Sequence, residues 1–177
     1  MHLITVTTRF NPTKKTFISV NMPISLALYQ PDIPQNTGAL IRLAACLNFA
    51  IHIIHPTGFS FSQRNLRRAG MDYLEHAQIC EHDTVEKFQA WRRANDWRLV
   101  LLSTKATRSA YETTFHDTDI LMVGRESAGV PAHIGEQADL RIRIPMAKNT
   151  RSINVALAAT LIVGEAKRQT DGFKNLS

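Results

Sequence analysis

Cysteines and long apolar runs are scarce in this sequence, and their scarcity excludes several classes of protein. Its two cysteines, Cys46 and Cys80, show neither CxxC nor Cys/His spacing, which argues against a zinc site or a disulfide framework. We expect both to be buried free thiols in a reducing cytosol. No uncharged apolar run approaches the roughly 20 residues that span a bilayer, and the N-terminus lacks an apolar signal segment. A soluble, cytoplasmic protein without a membrane partner is predicted.

The common patterns of nucleotide and metal sites are missing as well. Neither GxGxxG nor GxxxxGK(S/T) occurs, so NAD-type and P-loop interpretations lose their main support. The seven histidines are scattered, without a Ser/His/Asp arrangement or a metal cluster. We therefore expect no metal.

Length and composition are those of one globular domain. The 177 residues are 44% hydrophobic and 20% charged, and 21 Lys and Arg against 15 Asp and Glu suit a polyanionic partner. Residues 1–21 are basic and acid-free, and Met22, a second potential start, precedes a strand-like run. We expect 1–21 to be a loosely ordered N-terminal extension and 22–177 to be the single domain. An RNA-contacting arm and a transit peptide are alternatives for the extension.

Short apolar strands alternate with helical segments from residue 25 onward, which is typical of α/β proteins with a mostly parallel sheet flanked by helices. Runs rich in Ile, Leu and Val predict strands over 25–29, 50–55, 98–104, 119–124 and 140–145. Helices are predicted over 37–48, 62–69, 84–94, 131–137 and 152–169.

The last predicted helix is apolar on nearly every side. Such a helix must be threaded through the centre of its domain or shared with a second subunit, so a homodimer is expected. Close packing through its alanines is the alternative.

Four loops after predicted strands are rich in Gly, Pro and polar residues, and ligands bind beyond the carboxyl ends of parallel strands. In the first, over 29–38, Asn36 or Thr37 can cap the helix that follows. Arg42, about one turn inside that helix, is expected to point back toward the loop. Taken singly, capping explains Asn36 or Thr37, and a surface ion pair explains Arg42.

The second loop, over 55–70, carries arginines with no neighbouring acid before Asp72. Arg67 and Arg68 predict a phosphate-facing patch, with a solvated helix face as the alternative. We expect Phe59 and Phe61 beside it to fill the core rather than stack on bases.

The third and fourth loops hold further polar groups. In the third, over 124–131, Gly124 allows a ligand against bare backbone and Glu126 can cap amides or contact a partner; a plain tight turn is the alternative. In the fourth, over 144–154, Ser152 is a candidate cap of the last helix, which leaves Arg151 and Asn154 unexplained.

The motifs in these loops, taken in order, carry a resemblance to a known family. They are Asn36-Thr-Gly with Arg42, Gly124-x-Glu126-x-x-Gly129-Val-Pro, and Ile144-Pro-Met with Arg151-Ser-Ile-Asn154. Together they resemble the SPOUT superfamily of knotted RNA ribose methyltransferases. Pro-Asp-Ile-Pro-Gln-Asn-Thr-Gly and Leu-Arg-Arg-Ala-Gly-Met-Asp-Tyr look most like its tRNA wobble-nucleotide 2'-O-methyltransferase branch, over about residues 25–169.

The resemblance implies a fold, a reaction and a set of site residues. The implied fold ends in a C-terminal deep trefoil knot, S-adenosyl-L-methionine is the methyl donor, tRNA is the substrate, and a homodimer forms the site. The implied reaction is 2'-O-methylation at the wobble cytidine or modified uridine, with another tRNA or rRNA site, or a non-enzymatic RNA-binding module, as the alternative. Carried over by position, the cofactor-binding residues are Leu102, Gly124, Ile144 and Ser152. The catalytic residues are Asn36 and Arg42, supported by Glu126 and Asn154.

Two features qualify what the resemblance implies. The family account makes Arg42 the proton acceptor, but a guanidinium with a pKa above about 12 is a poor base, so we expect it to orient the hydroxyl or a phosphate. The wobble branch commonly has Pro where this chain has Arg125, and often Ser where it has Ala156. These departures loosen the assignment of the RNA substrate.

Overall fold

The structure is a computed structural model that describes residues 3–7, 15–19, 24–61, 73–174 and 176. Its strands are β1 Leu3–Thr7, β2 Lys15–Ser19, β3 Ser25–Tyr29, β4 Ala50–Ile54, β5 Gln78–His82, β6 Arg98–Leu102, β7 Arg108–Ser109, β8 Asp119–Val123 and β9 Leu140–Arg143. Its helices are α1 Pro34–Leu47, α2 Val85–Ala94, α3 Ala132–Gly135 and α4 Val155–Gln169, with a 3-10 turn at Ala110–Glu112.

Strands β3 to β9 form one sheet in which every neighbouring pair is parallel. The order is β5-β4-β3-β8-β6-β9-β7. Strands β4 and β5 are added on one side of β3 and the later strands on the other, so the direction in which the sheet grows reverses at β3. All carboxyl ends share one edge, and the loops after β3 and β8 meet at this switch point, where open parallel sheets usually bind ligands. Strands β1 and β2 pair antiparallel in a sheet of their own. The domain boundary after residue 21 stays a prediction.

The predicted α/β architecture with a parallel sheet is confirmed. The five predicted strands are present, and four of them end one or two residues earlier than expected. Sequence reasoning missed β5, whose residues are largely polar, and the two-residue β7. It also missed β1 and β2, which lie in the stretch expected to be a loosely ordered extension. The helix predicted over 62–69 lies outside the described residues.

Apolar side chains on both faces of the sheet form two cores. Along β3, Leu26 and Leu28 pack in the core beneath α1 and α4, whereas Ala27 and Tyr29 pack in the core beneath α2 and α3. Burying a Leu or Ile side chain stabilises the fold by about 1.5–3 kcal/mol, so a strand that is apolar on both faces is stable only between two helix layers. This three-layer packing places the carboxyl edge of the sheet, with its loops, at the surface.

Helix α4 is covered on one side only within this chain. Ala159, Ile162, Val163 and Ala166 are fully buried at helical spacing, but Leu157 and Leu161 are 62% and 45% exposed. Helix α4 is therefore not covered on every side within this chain, and sharing with a second subunit stays open.

The two cysteines differ in their surroundings. Cys80 is buried on β5, and burial raises the pKa of its thiol to about 12. Cys46 is exposed on α1, so the expectation that both thiols are buried is wrong for this residue. Among the described residues, no helix is long and apolar enough to cross a membrane.

Candidate functional site

A cavity of about 400 Å³ opens at the carboxyl edge of the sheet. Its walls come from the loops after β3, β6, β8 and β9 and from the first turn of α4. Four residues named as cofactor-binding by the resemblance, Leu102, Gly124, Ile144 and Ser152, all line this cavity. Residues far apart in the sequence are thus brought to one site by the parallel strand order.

The loop after β8 folds back on itself against the cavity. Arg125 and Gly129 exchange backbone hydrogen bonds of 3.1 and 2.8 Å, which closes a tight turn. A Cβ at Gly124 would stand 2.5 Å from the carbonyl carbon of Gly129, so this position requires glycine. Gly129 has a φ of +67° and open space where a Cβ would lie. The turn therefore presents bare backbone to the cavity.

Three predicted site residues form one hydrogen-bonded chain. Asn36 Nδ2 donates to Glu126 Oε1 at 3.1 Å, and Asn154 Nδ2 donates to Asn36 Oδ1 at 3.1 Å. Asn154 Oδ1 in turn accepts from the amides of Ala156 and Leu157 at the start of α4. A carboxylate only accepts and helix N-terminal amides only donate, so the two ends fix the orientation of both Asn side chains.

Asp32, which the sequence analysis did not single out, connects two of the loops. Its carboxylate accepts Arg125 Nε and Nη2 at 3.1 and 2.9 Å and Ser127 N at 3.2 Å, and Ser127 Oγ also donates to it. Its backbone N donates to Glu126 Oε2 at 2.8 Å, so Glu126 does cap an amide, as predicted. These hydrogen bonds, with Ser127 contributing most and Arg125 adding to it, lower the pKa of Asp32. No local pattern in the sequence relates Asp32 to Arg125, which are 93 residues apart.

The predicted helix caps are corrected by the structure. Helix α1 begins earlier than expected, with Ile33 as N-cap, no side-chain cap and Pro34 in its first turn. Proline presets the first helical φ and needs no donor there, so Asn36 and Thr37 lie inside the helix and do not cap it. On α4 the N-cap is Asn154 rather than Ser152, because the helix begins at Val155.

Arg42 lies on the exposed side of α1 and does not line the cavity of its own chain. Its guanidinium stacks 4.5 Å from the centre of the Tyr73 ring, and Nη2 donates to the Tyr73 hydroxyl at 3.3 Å. The structure therefore brings Asn36, Glu126 and Asn154 together and leaves Arg42 apart from them.

The predicted RNA contacts are only partly covered by the structure. Arg67 and Arg68 lie outside the described residues. Phe59 and Phe61 pack against the core beneath α1 and α4, as expected. Among the described residues, no group of three or more His, Cys, Asp or Glu is arranged to hold a metal ion.

Comparison with known proteins gives a consistent result. The SpoU rRNA Methylase family matches residues 23–164. The tRNA (cytidine(34)-2'-O)-methyltransferase of Ancylobacter novellus is 50% identical over 152 residues, 86% of this chain and 96% of that protein. The enzyme of the same name from Escherichia coli strain K12 is 41% identical over 148 residues, 82% of this chain and 93% of that protein.

Solved structures share the fold. A structure that addresses 2-OH methylation of C/U34 on tRNA has a TM-score of 0.77 and 38% identity, over 82% of this chain and 95% of that chain. An AdoMet-bound rRNA methyltransferase from Sinorhizobium meliloti has a TM-score of 0.71 and 27% identity, over 82% of this chain and 56% of that chain.

Proposed function

Because the chain belongs to the SpoU rRNA methylase family, we propose that it methylates the ribose 2'-hydroxyl of the wobble nucleotide of tRNA, a cytidine or modified uridine. The similarity to one relative carries this proposal, and the geometry of the site agrees with it. The chain spans 96% of the Ancylobacter tRNA (cytidine(34)-2'-O)-methyltransferase at 50% identity, and its Asn36, Glu126 and Asn154 are in contact beside the cavity. The methyl donor is S-adenosyl-L-methionine.

The cavity suits this donor. Its volume of about 400 Å³ falls within the range of small-molecule sites. Apolar groups of Leu102 and Ile144 offer contact to an aromatic base, and the exposed backbone at Gly124 and Gly129 offers hydrogen bonds at close approach. Ser152 adds a hydroxyl at the entrance to α4. When bound, the donor supplies an electrophilic methyl group for attack by a hydroxyl oxygen.

The residues of this chain contribute mainly by positioning, which supplies a large share of the acceleration in a group transfer of this type. The chain of hydrogen bonds from Glu126 through Asn36 to Asn154 holds polar groups still at the cavity. Arg42 orients the ribose hydroxyl or a neighbouring phosphate. The hydroxyl proton leaves late, to an acceptor other than Arg42, because a guanidinium stays protonated at neutral pH.

A homodimer completes the site. Arg42 lies outside the cavity of its own chain, which supports a substrate held between two subunits. The exposed Leu157 and Leu161 on α4 supply an apolar face that a second copy would bury. Both observations support an interface that includes α4.

The C-terminal trefoil knot is part of the same proposal. Strand β8 is inserted between β3 and β6, and β9 between β6 and β7, although each follows them in sequence. The chain then enters α4 beside the loops after β6 and β8, all of which line one cavity. This order supports threading of the final segment through those loops.

Exposed basic residues near the cavity support an RNA substrate. None of them has a carboxylate within salt-bridge distance in the described part of the chain. They are Lys105, Arg108, Arg141, Arg143, Lys148 and Arg151. Strands β7 and β9 are neighbours at one edge of the sheet and carry three of these arginines. Arg141 and Arg143 point to one face and Arg108, in register with Ile142, points to the other, and we call this the basic edge, which is suited to phosphates. Arg67 and Arg68 stay predicted phosphate contacts, and a cytoplasmic location stays a prediction.

The direct test is a map of ribose methylation in tRNA from a strain that lacks this protein. We expect the 2'-O-methyl group at nucleotide 34 of a subset of tRNAs to disappear and to return when the gene is restored. An unchanged map at position 34 would reject the wobble assignment. Titration calorimetry with S-adenosylhomocysteine separates the enzyme from a plain RNA-binding module, since only the enzyme binds it.

A further inference from the structure

We propose that Asp32 is a positioning residue for methyl transfer, which rests on the proposed function. Through Arg125 and Ser127 it fastens the loop after β8 to the loop after β3, and so sets the place of Glu126 against Asn36. We call this set of contacts, made by Asp32, Arg125 and Ser127, the loop clasp. The family resemblance assigns no catalytic role to any of these three residues.

The Asp32 carboxylate is satisfied almost entirely by one short segment. Oδ1 accepts two donors of Arg125, and Oδ2 accepts the amide and the hydroxyl of Ser127. The Asp32 side chain is only 16% exposed, against 39% for Arg125. Charge-assisted hydrogen bonds of this kind are about twice as strong as neutral ones. The clasp is therefore stronger than an ordinary surface ion pair.

Glu126 lies between Arg125 and Ser127 in the sequence, and its own carboxylate accepts hydrogen bonds from two residues on the other side of the clasp. Its Oε2 accepts the backbone N–H of Asp32 at 2.8 Å, and its Oε1 accepts Asn36 Nδ2 at 3.1 Å. Residues 125–127 thus grip Asp32 through both its side chain and its main chain. If the clasp opens, Glu126 loses its fixed distance to Asn36, although neither residue has been changed.

A third loop packs on the same point. Gly58, in the loop after β4, donates its N–H to Pro31 O at 2.9 Å. A Cβ at Gly58 would stand 3.0 Å from both the Cα and Oδ1 of Asp32, so that loop lies directly against the clasp. Asp32 is therefore placed where the loops after β3, β4 and β8 converge, and its carboxylate has little room to turn away.

The clasp also gives Arg125 a structural role. Its guanidinium is held by the Asp32 carboxylate, which connects the loop after β8 to the loop after β3. The competing account is that Arg125, which lines the cavity, contacts the substrate or the methyl donor directly.

The experiment compares Asp32→Asn, Arg125→Met and the double variant in single-turnover methyl transfer to tRNA. We expect each single variant to lower the rate about 10- to 100-fold, as small misplacements at a reacting centre do. We expect the double variant to be no worse than either single one, because all three open the same clasp. The Kd for tRNA should stay within about twofold, since the basic edge is untouched. Asp171→Asn, which breaks an exposed pair with Lys174, is the matched control and should change nothing.

Ser127→Ala guards against loss of folding. It removes one hydroxyl bond and leaves the Asp32 and Arg125 pair, so we expect a smaller rate loss of about threefold in a folded protein. Rates of all variants within about twofold of wild type would overturn the proposal. Additive losses in the double variant, or a loss for Arg125→Met far larger than that for Asp32→Asn, would overturn it in favour of direct ligand contact.

A second measurement separates this proposal from the proposed function. The affinity for S-adenosylhomocysteine, measured by titration, reports whether the loop after β8 is in place, and it requires no methyl transfer. If wild type methylates no tRNA, weaker S-adenosylhomocysteine binding in Asp32→Asn still supports the clasp, and unchanged binding rejects it. If wild type is active, an Asp32→Asn variant with lowered rate and retained tRNA affinity supports both.

Discussion

Glu126→Gln tests the polarity of the hydrogen-bonded chain at the site. Glu126 accepts at both oxygens, from the Asp32 backbone N–H at 2.8 Å and from Asn36 Nδ2 at 3.1 Å. Glutamine has one acceptor oxygen, so its amide group must face one of these two donors. Asn36 cannot turn over without presenting its own amide group to Asn154 Nδ2. The substitution therefore breaks one bond whichever way its side chain is turned.

The size of the effect follows from the bond that is lost. A hydrogen bond to a charged group contributes about 1.5–3 kcal/mol, and this carboxylate is only partly buried, which favours the lower end. If the whole loss of about 1.5–2 kcal/mol is felt in the transition state, the rate falls roughly 10- to 30-fold. The free energy of unfolding should change less, because these hydrogen-bonded side chains lie at the edge of the sheet and away from both cores.

The assay is single-turnover transfer of the methyl group to tRNA, with Glu136→Gln as the control at an exposed glutamate. Asn36→Asp alone places a second carboxylate against Glu126 and should be at least as damaging. The double variant Glu126→Gln, Asn36→Asp restores an amide donor to a carboxylate acceptor with Asn154 still donating, so we expect it to be faster than Asn36→Asp. A double variant slower than both single ones, or full activity in Glu126→Gln, would refute the reasoning.

Stability, assembly and RNA binding each supply one further prediction. Burial lowers the pKa of His82 from 6.5 to about 4, so below about pH 6.5 the unfolded chain binds a proton that the folded chain does not. His82 should contribute about 2 kcal/mol to the fall in the free energy of unfolding in urea from pH 7 to pH 5, so the fall should be smaller in His82→Gln; equal falls in both proteins would contradict this. Replacing Leu157 and Leu161 by Glu should give folded monomers in sedimentation velocity, and a monomeric wild type at micromolar concentration would reject the dimer. Replacing Arg141 and Arg143 by Ala should weaken tRNA binding and flatten its salt dependence at unchanged S-adenosylhomocysteine affinity; an unchanged Kd for tRNA returns them to an ordinary solvated edge.

The sheet was predictable from local pattern because most of its strands are apolar on both faces. Leu26 and Leu28 on one side and Ala27 and Tyr29 on the other leave no choice but burial between two layers. Strand β5 escaped prediction because its polar side chains find their partners only across the sheet. His82 Nε2 lies 3.0 Å from His52 Nδ1, and Glu81 lies 2.9 Å from His55.

The candidate site divides in the same way. The order of the motifs, readable along the chain, pointed to the family and to Asn36, Glu126 and Asn154. Residue type alone could not assign their contacts. It misplaced the cap of α1 by three or four residues and that of α4 by two, because the position of a helix end depends on backbone geometry.

The clasp was decided by tertiary structure alone. Asp32 and Arg125 are 93 residues apart, and no local periodicity relates them. They meet because β8 is inserted beside β3, which brings two distant loops to the same end of the sheet. The hydrophobic pattern is a local property of the sequence, and by itself it determined that a sheet is packed between two layers of helices. Polar pairing between loops depends on the order in which strands lie side by side, and that order is a property of the folded chain.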